Sequence, residues 1–308
     1  MTSRKLIIIG SGPAGLTAAI YAARAELSPL LLAGTNFGGQ LMLTTDVGNF
    51  PGFAEDIKGP QLMQQMISQA KRFGTEILFK NAEKVNFSAQ MFTIQTDELE
   101  YQAQAVIIAT GASSMWLGLP AESRLMGRGV SSCATCDGFF FKNKKLIVVG
   151  GGDTAMEEAI YLTKFASSVT VVHRRDFLRA SKIMQGRARA NSKIEFIFDT
   201  VVDDILGEQE VRGVRLKNLK SNQTADHEIA GVFVAIGHKP NTEFLVGSGI
   251  ELDEKGYINQ YEQSKTNIDG VFVAGDVHDH IYRQAITAAA AGCKAAMDAE
   301  RYLTEKNI

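Results

Sequence analysis

The sequence predicts an α/β protein of two parallel-sheet units, the second inserted into the first. Three observations lead there. A glycine-turn pattern near the N-terminus, Lys5-Leu6-Ile7 running on to Gly10-Ser11-Gly12-Pro13-Ala14-Gly15, returns 140 residues later as Lys145-Leu146-Ile147 and Gly150-Gly151-Gly152-Asp153-Thr154-Ala155. Each copy lies between a short apolar run and an apolar helical pattern, and Ala19-Ile20-Tyr21 recurs as Ala159-Ile160-Tyr161. Each unit then closes on an apolar strand ending in glycine, residues 105–111 and 231–237. A spacing this long lies outside the periods of solenoid repeats and marks two separate units.

Bulk properties agree with that reading. The 308 residues exceed what one hydrophobic core organises, and 45% hydrophobic with 21% charged residues is an ordinary globular balance. A net charge of −2 gives no electrostatic footprint for nucleic acid or an anionic membrane. No apolar run is long enough to span a bilayer, and the N-terminal run is too short for a signal core. Three cysteines are too few for a disulfide scaffold, so the expected address is cytoplasmic.

In the first unit, residues 5–9 read as a strand, residues 16–25 as a helix, and Pro29-Leu30-Leu31-Leu32 as a second strand. In this order the glycines have separate tasks. Gly10 permits the tight turn, Gly12 admits a pyrophosphate, and Gly15 lets helix pack on strand. Pro13 and Ala14 complete the turn, and the positive end of the helix that follows suits phosphate. An acid should close the second strand to hold a ribose, but Ala33-Gly34-Thr35 stands there instead. Gly38-Gly39-Gln40-Leu41 and Asn49-Phe50-Pro51-Gly52 read as loops, residues 60–73 as an amphipathic helix, and residues 77–104 as a small β-meander. The strand over 105–109 ends at Thr110 and Gly111, suited to close approach of a ligand.

The second unit repeats the turn with Gly150, Gly152 and Ala155, followed by Asp153 and Thr154 at the helix start. Its second strand ends in His173-Arg174-Arg175, with Arg179 beyond. Arginines there favour the 2′-phosphate of NADP over the free hydroxyl of NAD. His173 reads equally as packing. Residues 194–229 read as short strands and hairpins. A last strand, Gly270 to Asp276, precedes Asp279 through Arg283-Gln284-Ala285 and an alanine-rich helix. Asp276 suits a cofactor hydroxyl or a cap, and Cys293 reads as a buried small side chain.

Between the two glycine turns lies Cys133-Ala134-Thr135-Cys136-Asp137-Gly138. Taken alone, Cys-x-x-Cys is a redox pair, half a zinc site or two core cysteines. Zinc would need two more ligands from distant segments, so no metal is expected. Nicotinamide carries hydride whereas a disulfide takes electrons through thiol chemistry. A flavin relays between them, which assigns FAD to the first unit and NADPH to the second.

These motifs carry a family resemblance over essentially the whole chain. It resembles the low-molecular-weight, bacterial-type thioredoxin reductases in Gly10–Gly15, Gly38–Leu41, Cys133 through Phe140, Gly150–Ala155, His173–Arg175, Gly275-Asp276 and Arg283–Ala285. The resemblance implies two Rossmann-like domains, the NADPH domain inserted into the FAD domain, with expected bounds 1–113 and 245–308 for FAD and 114–244 for NADPH. It implies FAD contacts at Ala33, Gly34, Gly38, Gly39, Gln40, Asn49, Gly275, Asp276, Arg283, Gln284 and Ala285, beside the Gly10–Gly15 turn, Thr110 and Gly111. It leaves backbone groups near Gly34 and Thr35 to hold the FAD ribose.

The implied activity is NADPH-dependent reduction of thioredoxin, electrons passing from NADPH through FAD to the Cys133–Cys136 disulfide. Cys136 faces the flavin, Cys133 attacks thioredoxin, and Asp137 serves as general acid and base. The cysteines share a unit with the NADPH motif, so that unit is expected to swing about linkers near 112–118 and 240–245. A homodimer is implied as well. The competing readings are a reductase of another small redox protein, a dithiol oxidase, which would need no arginines at a nucleotide site, and a non-catalytic sensor.

Overall fold

The computed structural model describes residues 2–89 and 91–307. Its chain divides into two compact units, Met1–Ser113 with Lys239–Ile308, and Ser114–His238. The main elements in order are β1 (Thr2–Ile9), α1 (Pro13–Arg24), β2 (Leu30–Leu32), α2 (Gly59–Arg72), β3 (Glu76–Leu78), β4 (Lys84–Asn86), β5 (Phe92–Gln95), β6 (Glu100–Ile108) and β7 (Ala112–Ser114). Then come α3 (Pro120–Leu125), β8 (Val130–Ser131), α4 (Ala134–Asp137), β9 (Lys145–Val149), α5 (Asp153–Leu162), β10 (Ser168–Val172), α6 (Lys182–Arg189) and β11 (Ile194–Ile197). The chain finishes with β12 (Thr200–Leu206), β13 (Gly213–Asn218), β14 (Thr224–Glu228), β15 (Gly231–Val234), β16 (His238–Pro240), β17 (Val271–Val273) and α7 (Ala285–Glu305).

In the first unit, β1 is central, with β2 and β6 parallel on its two sides. Strand β3 extends the sheet parallel to β2, and β17 lies parallel to the end of β6. Strands β4 and β5 continue from the start of β6 as an antiparallel meander. The expected meander over 77–104 therefore begins one strand later, because Ile77 and Leu78 are drawn to Leu31 and Leu32 of the parallel core. The second half of β1, Leu6 to Ile9, is apolar without alternation because both its faces are covered. Leu6 and Ile8 pack under α1, α2 and α7, while Ile7 and Ile9 pack against the opposite layer with Val106, Ile108 and Val273.

The second unit has a five-stranded parallel sheet in the order β8-β15-β9-β10-β11, together with the antiparallel ladder β12-β13-β14. Residues 194–197, within the stretch expected as short strands and hairpins, form a parallel edge strand paired with β10. Leu146 and Val148 face α5, whereas Ile147 and Val149 face a core containing Val202, Val214 and Leu216.

The chain passes between units along β7 and β16, which pair as a two-stranded ladder. The second crossing falls between His238 and Lys239, earlier than the expected 244. On the first unit's side, the Asn241 N–H donates to Gly111 O at 3.0 Å and its side chain donates to Thr110 O at 2.8 Å. On the second unit's side, the Met115 N–H donates to Gly237 O at 2.9 Å. The buried Glu122 carboxylate then accepts three successive N–H groups, Leu117, Gly118 and Leu119, fixing the departing chain.

Candidate active site

Strand β8 ends at Ser131, and two residues later Cys133 caps the single turn α4. Cys133 and Cys136 are joined as a disulfide, and both are half-buried. The turn itself holds the sulfurs: the Cys136 N–H points at Cys133 Sγ at 3.2 Å, and Thr135 Oγ1 lies 3.4 Å from the same sulfur. Asp137 follows directly, with its N–H on Cys133 O at 3.1 Å. Burial pushes the Asp137 carboxyl above the usual carboxylate range, and a hydrogen bond from Ser131 opposes that rise. Its side chain makes no capping bond to the 138–141 turn. A half-exposed disulfide beside a carboxyl that keeps its proton unusually well is equipped for thiol–disulfide exchange.

The first glycine turn brings together most of the residues assigned to FAD. A Cβ on Gly15 would lie 1.8 Å from Gly10 O, so helix and turn touch backbone to backbone. Gly12 has open space where a side chain would stand, and a Cβ on Gly39 would lie 3.5 Å from Gly12 Cα. Ser11, absent from the sequence-based site, ties this corner: its hydroxyl donates to Ala33 O at 2.7 Å and accepts the Gly38 N–H at 2.9 Å. Gln40 lies in the short 39–43 turn that follows. Gly275 approaches the Ala14 methyl group, and a Cβ on Gly292 of α7 would meet Ala14 O at 2.0 Å. Asn49 Nδ2 donates to Gln284 Oε1 at 3.3 Å, joining two further expected contacts, and Ala285 opens α7 beside them.

Asp276 is the one acid in this cradle. Its Oδ1 is buried without a hydrogen-bond partner, and burial, with Asp279 nearby, raises the carboxyl to about 6 while Arg283 opposes the rise. An unpartnered buried oxygen is a place where a ligand hydroxyl could bind. At the expected ribose contact near Gly34 and Thr35, the two backbone donors are engaged within the unit. The Gly34 N–H already donates to Lys80 O at 3.1 Å, and the Thr35 N–H to Asn81 Oδ1 at 3.0 Å. Asn81 lies 46 residues from Thr35 and had no local signal.

The second turn matches in form. Gly152 faces open space, and Gly150 sits against Ala235 O and the Ala155 methyl. Gly151 lies under the His173 ring, which a Cβ would meet at 2.4 Å. His173 is buried with Nε2 unpartnered among the described residues, and burial, then Arg179, Arg175 and Arg174, lower its basicity. Packing is therefore its observed part. Arg174, Arg175 and Arg179 are exposed, and Arg179 is brought to the turn by its own N–H on Gly151 O at 2.7 Å. Asp153 Oδ1 accepts the Ser181 N–H at 2.7 Å, fixing the following helix, with Thr154 beside it. Two open glycine corners, one bearing an orphaned carboxylate oxygen and the other three exposed arginines, fit FAD and NADPH respectively.

Cys293 departs from expectation. It is half-exposed on α7, with Sγ 4.0 Å from Met297 Sδ, because the helix buries its Ala288-Gly292-Ala295-Ala299 stripe instead.

A family model described as pyridine nucleotide-disulphide oxidoreductase matches residues 4–292. The chain is similar to the thioredoxin reductase of Mycolicibacterium smegmatis, 53% identical over 307 residues that cover 99% of this chain and 98% of that one. It is 55% identical to the thioredoxin reductase of Rickettsia bellii over 306 residues, covering 98% of each. Among solved structures, thioredoxin reductase from Streptococcus pyogenes matches at 44% identity with a TM-score of 0.95, covering 99% of both chains. Lactococcus lactis thioredoxin reductase, in a form titled FR conformation, matches at 41% identity with a TM-score of 0.65, covering 98% of this chain and 99% of that one.

Proposed function

We infer function from kinship joined to geometry: the chain belongs to the pyridine nucleotide-disulphide oxidoreductase family and, within it, to the thioredoxin reductases. It reduces the disulfide of thioredoxin at the expense of NADPH, as an FAD enzyme. The observation that carries this is the half-exposed Cys133–Cys136 disulfide beside Asp137, in a chain with two open glycine corners. FAD, when bound, supplies the exchange between hydride from NADPH and the electron pair that opens a disulfide.

In our reading the Gly10–Gly15 turn, Ala33, Gly34, Gly38–Gln40, Asn49, Thr110, Gly111, Gly275, Asp276 and Arg283–Ala285 hold FAD, with the Asp276 carboxylate accepting from a hydroxyl. The Gly150–Ala155 turn and Arg174, Arg175 and Arg179 hold NADPH, the guanidinium groups gripping the 2′-phosphate. His173 acts by packing on Gly151.

With the dithiol reduced, the Cys133 thiolate attacks one sulfur of the thioredoxin disulfide. A mixed disulfide forms, and the departing thioredoxin thiolate takes a proton from Asp137. Cys136 then gives its proton to Asp137 and attacks Cys133 Sγ. That closes the Cys133–Cys136 disulfide, and the second thioredoxin thiolate takes that proton from Asp137 as it leaves. Two electrons and two protons have passed to thioredoxin. Burial helps Asp137 keep its proton for the first departure.

The unit carrying Cys133 and the NADPH turn is proposed to rotate about the paired crossings β7 and β16. Support comes from the relatives: two of nearly equal identity and coverage match with TM-scores of 0.95 and 0.65. Such a gap at equal coverage is expected where relatives differ by rigid-body placement. A homodimer and a cytoplasmic address complete the reading, both resting on the family resemblance. No described helix is long and apolar enough to cross a membrane.

The deciding experiment follows thioredoxin reduction by NADPH and by NADH, in wild type and in Cys136→Ser. NADPH should be strongly preferred, and the variant should lose turnover while its flavin still bleaches anaerobically. Persistent turnover in Cys136→Ser would rule out the dithiol relay. Electron flow to oxygen instead of thioredoxin would favour the oxidase.

A further inference from the structure

We propose that Ser114 is a positioning residue for the dithiol chemistry, its hydroxyl paired with that of Ser132 so that the crossing strand β7 holds the lead into Cys133. The proposal rests on the reading above. The two hydroxyl oxygens lie 2.8 Å apart, and both residues are half-buried. Ser132 is the one residue between the end of β8 at Ser131 and Cys133, which caps α4. Ser114 stands 18 residues before it, as the last residue of β7 and the first of the second unit.

Neighbouring side chains on a strand point to opposite faces. Ser113 accordingly donates to Asn241 Oδ1 at 3.0 Å, within the first unit, while Ser114 meets Ser132 within the second. One residue further on, the Met115 N–H is bound to Gly237 O, and the N–H groups of Leu117, Gly118 and Leu119 are held by the Glu122 carboxylate. Ser114 is thus carried by a stretch of chain that is itself fixed, as a tether requires.

The cysteine turn needs one. α4 has four residues, far below the length at which a helix is stable alone. Cys133 is held by the disulfide to Cys136, by the Ser131 hydroxyl, which accepts its N–H at 3.0 Å, and through Ser132 by Ser114. Reduction removes the covalent tie and leaves the hydrogen bonds to keep the nucleophile in place. Cys136 must later reach Cys133 Sγ, an intramolecular attack whose rate depends on how closely the two are held. The first attack, by Cys133 on an outside disulfide, makes no such demand.

The test uses holoenzyme in a Cys293→Ser background, so that of the three cysteines only the dithiol reacts. The protein is reduced anaerobically with dithiothreitol, freed of reductant and mixed with equimolar dithiobis(nitrobenzoate). Cys133 attacks one reagent sulfur and releases the first thionitrobenzoate. Cys136 then attacks Cys133 Sγ, closes the disulfide and releases the second, so two electrons pass from dithiol to reagent. In Ser114→Ala the second release should slow roughly fivefold, the scale of one neutral hydrogen bond, with the first unchanged. Ser132→Ala should match it, and the double variant should be no slower than either single one. Ser114→Thr, which keeps the hydroxyl, should restore the rate. Hydrogen exchange at the amides of residues 133–137 in the reduced protein should quicken in the alanine variants, while Ser113→Ala should move neither readout. An unchanged second release in Ser114→Ala would overturn the proposal, as would equal slowing of both releases, additive losses in the double variant, or threonine behaving like alanine. Neither thioredoxin nor NADPH takes part, so a wild type inactive toward thioredoxin would remove the functional reading while these rates still decide the part played by Ser114.

Discussion

Gly15 and Ala155 occupy matching places in the two glycine turns, and their difference gives a quantitative prediction. A methyl group at Gly15 would stand 1.8 Å from Gly10 O, about 1.4 Å inside ordinary carbon–oxygen contact. The obstacle is backbone, so relief requires α1 to retreat from the turn or the turn to open. Overpacking costs about 1–3 kcal/mol, and against backbone that cannot turn aside the upper end, about 3 kcal/mol, applies. Alanine returns about 1 kcal/mol over glycine within a helix, leaving a net loss of about 2 kcal/mol. At about 2–4 °C per kcal/mol for a body of this size, Gly15→Ala should melt roughly 4–8 °C lower. The displaced helix start also carries Gly12, so flavin should be retained less tightly. The assay is thermal unfolding of the holoenzyme, followed by circular dichroism and by released flavin fluorescence. Ala155→Gly is the matching control, since it should loosen the second unit's helix without releasing flavin. A Gly15→Ala protein that melts within about 1 °C of wild type and keeps full FAD would refute the close-approach argument.

Two further outcomes follow from the same structure. Because burial raises the Asp276 carboxyl to about 6, the folded flavin-free chain binds a proton that the unfolded chain releases near pH 4, so its stability should fall as pH rises from about 4 through about 6. The loss is no more than about 3 kcal/mol; urea titrations of the stripped protein across that range should show it. Asp276→Asn should flatten the dependence while weakening FAD binding, and an unchanged slope would remove Asp276 as its cause. A reversible disulfide cross-link between the two units should stop thioredoxin turnover and spare one half-reaction, either flavin reduction by NADPH or flavin–dithiol exchange. Full turnover by a completely linked protein would exclude rotation about β7 and β16.

What the sequence made readable was backbone necessity. Gly10, Gly15 and Gly150 announce themselves because only glycine tolerates those approaches and turns, and a repeated requirement reads as a repeated unit. The residues that stayed hidden act over distance through ordinary side chains. Ser11 spans 27 residues to Gly38, and Asn81 reaches back 46 to Thr35. Serine and asparagine occur everywhere, and nothing local marks the ones with such partners. Cys293 was misplaced for another reason. Alanines occupy several faces of α7, so hydrophobic periodicity could not say which side meets α1. The strand at 194–197 was legible as a short strand, but four residues carry no sign of whether their partner is parallel.

The two crossings have a consequence for how such a chain is built. β7 and β16 run in opposite directions, with Gly111 joined to Asn241 on one side and Met115 to Gly237 on the other. The inserted unit therefore begins and ends at adjacent points, and the host chain spans no gap where it is interrupted. Residues 114–238 form a detachable cassette. A tight turn joining Ser113 to Lys239 should close the first unit into a continuous flavin-binding protein, and the excised unit should fold from neighbouring ends. An insertion at such a point leaves the host's strand order untouched, so an independent nucleotide-binding module could enter the gene without the first fold having to be remade.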